Sequence, residues 1–160
     1  MNITSKIIAS GLLICSAALS GTTFANNDQA KAKAEFETMM KDYKAAVDSA
    51  LKSSDVRGGL IKACGVQYKK TVSEKMLTQA DVTKLCTCTV DAEGRVTEAQ
   101  KWDLQSAANA KNQSKFQQLQ TAILKSQGES VKKCVGTTLD KKINDLAQKA
   151  VAQHKAATAK

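Results

Sequence analysis

The spacing of four cysteines constrains the fold of this chain more than any other feature of its sequence. Cys86 and Cys88 are separated by one residue, with Cys64 upstream and Cys134 downstream. A bond between Cys86 and Cys88 would close a very small ring and strain the bridge dihedral, so each thiol needs a more distant partner. On a helix, residues two apart point about 200° apart, which sends these thiols to opposite sides. The sequence therefore predicts two disulfides that converge on one central helix.

Two pairings satisfy this prediction, and the spacing does not decide between them. One joins Cys64 to Cys86 and Cys88 to Cys134. The other joins Cys64 to Cys88 and Cys86 to Cys134. We prefer the first, because Cys64 and Cys86 both lie close to apolar stripes. Zinc sites usually pair their ligands as Cys-x₂₋₄-Cys and redox centres as Cys-x-x-Cys, and neither spacing occurs here, so we expect no metal and no cofactor.

Residues 1–25 have the features of a secretory signal peptide. Lys6 supplies a positive charge, residues 7–19 are apolar but too few to span a bilayer comfortably, and small residues typical of a cleavage site close the segment. Cys15 lacks the small preceding residue of a lipidation site. Cleavage after Ser20 and retention as an N-terminal anchor are the alternatives. The segment predicts a periplasmic or secreted protein, a setting in which even sets of cysteines are oxidised.

The composition favours helices in the rest of the chain. There is no proline, and the abundant Ala, Lys, Gln, Leu and Glu are good helix formers. No stretch alternates apolar and polar residues in the manner of a strand. We predict an all-α fold, a small disulfide-stapled bundle of about five helices, in one domain over residues 26–152 with a frayed Ala/Lys-rich tail over 153–160. Trp102 and the tyrosines and phenylalanines would supply the aromatic part of a modest core.

Capping residues and apolar periodicity place these helices. The clearest start is at Thr78, a good N-cap with Asp81 three residues on, and Gly94 would end or bend that helix. The longest periodic run extends from Val131 to Val151, which we predict to be one helix docked on the disulfide core, with Lys142 off its apolar stripe. Further predicted helices follow the capping residues 26–28, run from Val56 to Tyr68, begin at the capping box of residues 97–100, and lead from a turn at 109–114 to Gly128.

The cysteine framework carries a resemblance to known proteins. Cys64, the helix start at residues 77–82, Cys86-Thr87-Cys88 and Cys134 resemble a group of small exported proteins of Gram-negative bacteria that share a Cys…Cys-x-Cys…Cys framework on helices. The resemblance covers about residues 60–140. The resemblance implies envelope localisation and a helical disulfide core, but it does not indicate what activity the protein has.

The sequence offers no constellation that predicts catalysis. His154, the single histidine, lies in the polar tail, and we interpret it as solvated. The close acidic pairs Glu35/Glu37 and Asp91/Glu93 diverge on a helix, so we read them as solvated surface. Nucleophile-elbow and His-Glu-x-x-His patterns do not occur. With the four thiols oxidised, we predict a protein without catalytic residues that is not an enzyme.

The number and distribution of basic residues indicate which classes of partner the protein could bind. The chain has 24 Lys+Arg against 15 Asp+Glu, a formal net charge of +9. The lysines are spread along every predicted helix, and Arg57 and Arg95 are the only arginines, so clustered Arg forks for nucleic acid are lacking. We interpret the lysines as solvated faces, with weak attraction to anionic surfaces as the functional alternative.

Three functions fit these observations. The first is a non-enzymatic periplasmic module that binds another envelope protein, as an assembly subunit or an immunity-type protein. The second is a small periplasmic stress chaperone, and the third is a carrier of a small apolar ligand between helices. The sequence does not identify the partner or the oligomeric state.

Overall fold

A computed structural model describes the backbone of residues 26–158 and the side chains of residues 33–149, 151 and 152. Within these residues the fold is all-α, as predicted, and contains no strand. The predicted signal peptide, residues 1–25, lies outside the described residues. The described helices number seven, against about five predicted: α1 Asn26–Ala50, α2 Val56–Gln67, α3 Lys69–Ser73, α4 Gln79–Glu93, α5 Glu98–Asn109, α6 Gln113–Val135 and α7 Thr137–Thr158. None of them, over residues 26–158, combines the length and the apolar character that crossing a bilayer requires.

The break between the last two helices was predicted at the wrong residue. Gly128, the predicted end, lies inside α6, and a side chain at that position would meet open space. The chain instead breaks at Gly136, whose φ of 80° lies in the region that favours glycine. The apolar periodicity runs across this break because α6 and α7 contribute residues to the same core. The predicted continuous helix from Val131 to Val151 is therefore wrong. The short α3 was also missed.

The main core surrounds the two disulfides at the centre of the molecule. Helix α4 packs against α2 on one side and α6 on the other, and α7 packs on α6. Val82 and Cys86 are almost completely buried in this core. We call this cluster the disulfide core: Cys64, Leu77, Val82, Leu85, Cys86, Cys88, Val135 and Leu139, with Ile61, Tyr68, Val72, Val131, Ile143 and Leu146 packed around it.

Helices α1 and α2 form a hairpin that packs unusually closely at one point. Tyr43 and Val47 of α1 are buried with Ala63 of α2. A Cβ atom added to Gly59 would lie 2.7 Å from the Cβ and 2.9 Å from the Cα of Ala50. Glycine is therefore the residue that allows the two backbones to approach at this point.

Helices α5 and α6 form a second hairpin, which has its own small core. Val96, Leu104 and Ile123 are buried there, with Phe116 and Leu119 packed against them. Trp102 does not join this core, contrary to the prediction, and the residue is 68% exposed. The reason is helical geometry, since Trp102 is two residues from the buried Leu104 and points about 200° away from it.

Candidate functional site

Helix α4 is cross-linked on two sides through Cys86 and Cys88. Cys86 bonds to Cys64 of α2 with an S–S distance of 2.07 Å, and Cys88 bonds to Cys134 of α6 at 2.01 Å. This is the pairing preferred from the sequence. Cys64, Cys86 and Cys88 are buried, whereas Cys134 is exposed. The four cysteines therefore form a structural centre in which every thiol is bonded, and none of them is free to act as a nucleophile or a metal ligand.

The N-terminus of α4 is fixed by a polar network that also reaches α7. Thr78 and Asp81 form the predicted capping box, with the Asp81 backbone N–H donating to Thr78 Oγ1 at 3.1 Å and the Thr78 N–H donating to Asp81 Oδ2 at 3.0 Å. Lys142 Nζ donates to the same Oδ2 at 2.6 Å. The Lys142 ammonium and the Thr78 cap together lower the pKa of Asp81 to about 2. Lys142 is off the apolar stripe, as predicted, but it links α7 to α4.

The acidic pair Glu35/Glu37 is solvated, as expected. Glu35 lies 3.3 Å from Lys70 of α3, and Glu37 lies 4.0 Å from Lys33, with all four side chains largely exposed. Pairs of this kind contribute little to stability.

The pair Asp91/Glu93 divides into two different environments. Asp91 accepts two hydrogen bonds from Arg57 of α2, at 2.7 and 2.9 Å, and these bonds lower the pKa of Asp91. Glu93 is only partly exposed, and its Oε1 is shielded from solvent without a hydrogen-bond partner. The solvated-surface interpretation is therefore wrong for Glu93. The two carboxylates diverge as expected and do not form a dyad.

Partial burial shifts the pKa of the Glu93 carboxyl. Desolvation raises this pKa from an ordinary 4.5 to about 7. Tyr43 of α1, which is 8% exposed, has its pKa raised to about 12, mainly by burial and further by the charge of Glu93. No sequence signal marks Glu93, because a glutamate at the end of a helix before a glycine is ordinarily solvated.

The most exposed large apolar side chain in the described residues is on α5. Trp102 lies opposite the buried side of that helix, among short or polar exposed side chains. Two of its neighbours are held by local bonds, Lys101 to Glu98 at 2.6 Å and Gln105 to Asn109 at 2.6 Å. We call this surface the Trp102 face, and it comprises Glu98, Ala99, Trp102, Ser106 and Asn109.

Two further kinds of site were considered, one at the single histidine and one at a cluster of metal-binding side chains. The backbone of His154 belongs to α7, and its side chain lies outside the described residues. Among the described side chains, no three His, Cys, Asp or Glu residues group in a way that could hold a metal ion.

Comparison with known protein families, with curated proteins and with solved structures finds no match. The resemblance to small exported helical proteins rests on the cysteine framework and the helix start at residues 77–82, and it stays a prediction.

Proposed function

We propose that this protein is a non-enzymatic periplasmic interaction module that binds another envelope protein through the Trp102 face. The observation that carries the proposal is the exposure of Trp102, a residue that is 68% exposed. A tryptophan is the residue type most enriched at the energetic centres of protein interfaces, where it is surrounded by contacts that exclude water.

The setting of Trp102 suits a preformed binding surface. It lies on a regular helix that begins with a capping box at Thr97 and Gln100, and α5 packs along α6, which the Cys88–Cys134 bond ties to the disulfide core. A side chain presented by an ordered helix loses little conformational freedom on binding. The short neighbours Ala99 and Ser106 leave the indole accessible to a flat or grooved partner.

The disulfides and the predicted signal peptide support the proposed compartment. Two disulfide bonds are typical of proteins that fold in an oxidising, extracytoplasmic environment. The predicted signal peptide and the resemblance to exported helical proteins of Gram-negative bacteria support the periplasm. An envelope assembly subunit or an immunity-type protein would fit this description.

The test is affinity purification from periplasm with the wild type, Trp102→Ala and Met40→Ala as baits. Met40 is 39% exposed on α1 and is the matched control for loss of an exposed apolar side chain. We expect one partner that the wild type and Met40→Ala retain and Trp102→Ala loses. With purified partner, Trp102→Ala should weaken binding by roughly 30-fold, as expected for an interface hot spot. Equal binding by all three baits would contradict the proposal.

A small stress chaperone is the second candidate, and a different observation favours it. Large apolar side chains are exposed at separated places, on α1, α2, α7 and two connections as well as α5, and such a scattered surface suits weak binding of many unfolded chains. These residues are Met40, Leu51, Val56, Met76, Trp102 and Val151. Suppression of aggregation that declines by similar amounts in Met40→Ala and Trp102→Ala would favour this function over a specific partner.

A further inference from the structure

The two disulfides of the core differ in how accessible they are from solvent. Cys64 and Cys86 are 4% and 0% exposed, so the first bond is buried at both ends. In the second bond, Cys88 is 3% exposed, whereas Cys134 is exposed. A thiolate exchanges with a disulfide only if it can reach one of the two sulfur atoms. The second bond is therefore open to exchange at its Cys134 end, and burial protects the first.

The placement of the second bond also decides which of its sulfur atoms can be attacked. A thiolate approaches a sulfur atom in line with the S–S bond, from the side opposite the sulfur that leaves. Cys88 lies inside the disulfide core and Cys134 lies at its edge, so the approach to Cys134 comes from outside the core. Attack at Cys88, or at either end of the Cys64–Cys86 bond, requires the core to open first.

The surroundings of Cys134 carry an excess of positive charge. Two exposed lysines, at positions 132 and 133, directly precede it at the end of α6. Lys84 of α4 extends to the same end of α6, where its Nζ lies 3.9 Å from the position that a Cβ atom on Gly136 would occupy. Asp140 also lies there, 3.9 Å from the Nζ of Lys132. Basic surroundings attract anions and favour the thiolate form of a cysteine, so they suit thiol–disulfide exchange.

The fold can keep α6 in place while the Cys88–Cys134 bond is open. Val135, which follows Cys134, is buried in the disulfide core, and Val131, one turn earlier on α6, packs against it. The Cys64–Cys86 bond continues to join α2 to α4. These contacts do not depend on the second bond, so exchange at Cys134 does not require the protein to unfold.

We propose that Cys88–Cys134 is an exchangeable disulfide, attacked at Cys134 by a dithiol oxidoreductase, whereas Cys64–Cys86 is a permanent cross-link. A thiolate of the oxidoreductase forms a bond to Cys134 Sγ while the Cys88–Cys134 bond breaks, and the electron pair leaves on Cys88 Sγ, which takes a proton from water. The second thiolate of the oxidoreductase then attacks its own sulfur in this mixed disulfide and releases Cys134 as a thiolate, which is also protonated. The dithiol loses two electrons and becomes a disulfide, and the Cys88–Cys134 bond gains them and becomes two thiols.

The experiment treats the native wild-type protein with dithiothreitol or with glutathione at neutral pH, without denaturant. Exchange is stopped at intervals with N-ethylmaleimide, which alkylates free thiols, and mass spectrometry of peptides assigns the modification of each cysteine. With dithiothreitol, Cys88 and Cys134 should become alkylated at least about tenfold faster than Cys64 and Cys86, because access to the buried bond requires the core to open. With glutathione, a monothiol, the adduct should form on Cys134 and leave Cys88 as the alkylated free thiol.

The Cys64–Cys86 bond is the matched control within the same molecule, and urea below the unfolding transition separates local exchange from global unfolding. Reduction of Cys64–Cys86 should accelerate with urea, because the opening that it needs exposes buried surface. Reduction of Cys88–Cys134 should change little. The proposal would be overturned by equal rates for the two bonds, by faster reduction of Cys64–Cys86, by resistance of both bonds in the native protein, or by glutathione on Cys88.

Discussion

The disulfide core and the α5–α6 hairpin are built by different means, although α6 takes part in both. The core has two covalent cross-links and eight buried residues. The hairpin core has three buried residues, Val96, Leu104 and Ile123, and no cross-link of its own. Yet the Cys88–Cys134 bond closes a loop with a sequence separation of 46 that contains all of α5 and nearly all of α6.

This difference indicates that stability and the presentation of an exposed surface depend on different parts of the molecule. The core supplies stability through burial and cross-links, and the hairpin is held at both ends by one of those cross-links. A small hydrophobic core is then enough to keep α5 ordered, which leaves its outer side available for an exposed tryptophan.

Removal of the disulfides should have the largest effect and would show how far the hairpin depends on the core. A disulfide stabilises mainly by restricting the unfolded chain, and the loop lengths correspond to about 3–4 kcal/mol for each bond. We expect Cys64→Ala with Cys86→Ala to cost slightly less than Cys88→Ala with Cys134→Ala, because the first loop is shorter, with a separation of 22. Urea unfolding of the two double variants measures this. Losses below about 1 kcal/mol for both would show that the cross-links are incidental.

Truncation of Leu139 tests whether α7 belongs to the core. Leu139 is 6% exposed and packs in the disulfide core, so Leu139→Ala should lower the free energy of unfolding by about 2–4 kcal/mol. Lys141→Ala is the control on the same helix and should change it by less than about 0.5 kcal/mol. Thermal melts compare the two. Equal small shifts would mean that this side of α7 is a surface and not part of the core.

Two glycines of α2 test the packing of α2 against α1, two helices that no disulfide joins directly. Gly59→Ala would clash with the backbone of Ala50 and should destabilise the protein by about 1–3 kcal/mol. Gly65→Ala meets no atom within 4 Å, so the better helix propensity of alanine should stabilise it by about 0.5–1 kcal/mol. Chemical denaturation gives both values. Shifts of the same sign would contradict the close approach of α1 and α2.

The link between Lys142 and Asp81 should have a smaller and pH-dependent effect. Lys142→Ala should cost about 0.5 kcal/mol near neutral pH, as exposed ion pairs do. Because the pKa of Asp81 is lowered to about 2, its contribution is present above the ordinary value and is lost as pH falls toward 2. Melting curves at pH 7 and pH 2.5 should therefore show the difference between wild type and variant shrinking in acid. A difference that grows in acid would be inconsistent with this link.

The sequence predicted the parts of the structure that depend on local pattern. Thr78 and Thr97 begin their helices as their capping boxes indicate, and the opposite directions of Cys86 and Cys88 predict bonds to two neighbouring helices. The break at Gly136 was missed because apolar periodicity records which residues face the core and not where the backbone turns. Glu93 and Trp102 were misjudged because their burial depends on how whole helices pack, which residue type does not determine.

The exposure of Trp102 is the central claim, and its fluorescence tests it most directly because the chain has one tryptophan. We predict that native protein emits at nearly the same wavelength as urea-unfolded protein, and that acrylamide quenches the two to a similar extent. Reduction of the disulfides should leave the emission wavelength nearly unchanged. Native emission at clearly shorter wavelength, moving to longer wavelength on unfolding, would show that Trp102 is buried and would contradict both the account of α5 and the proposed binding surface.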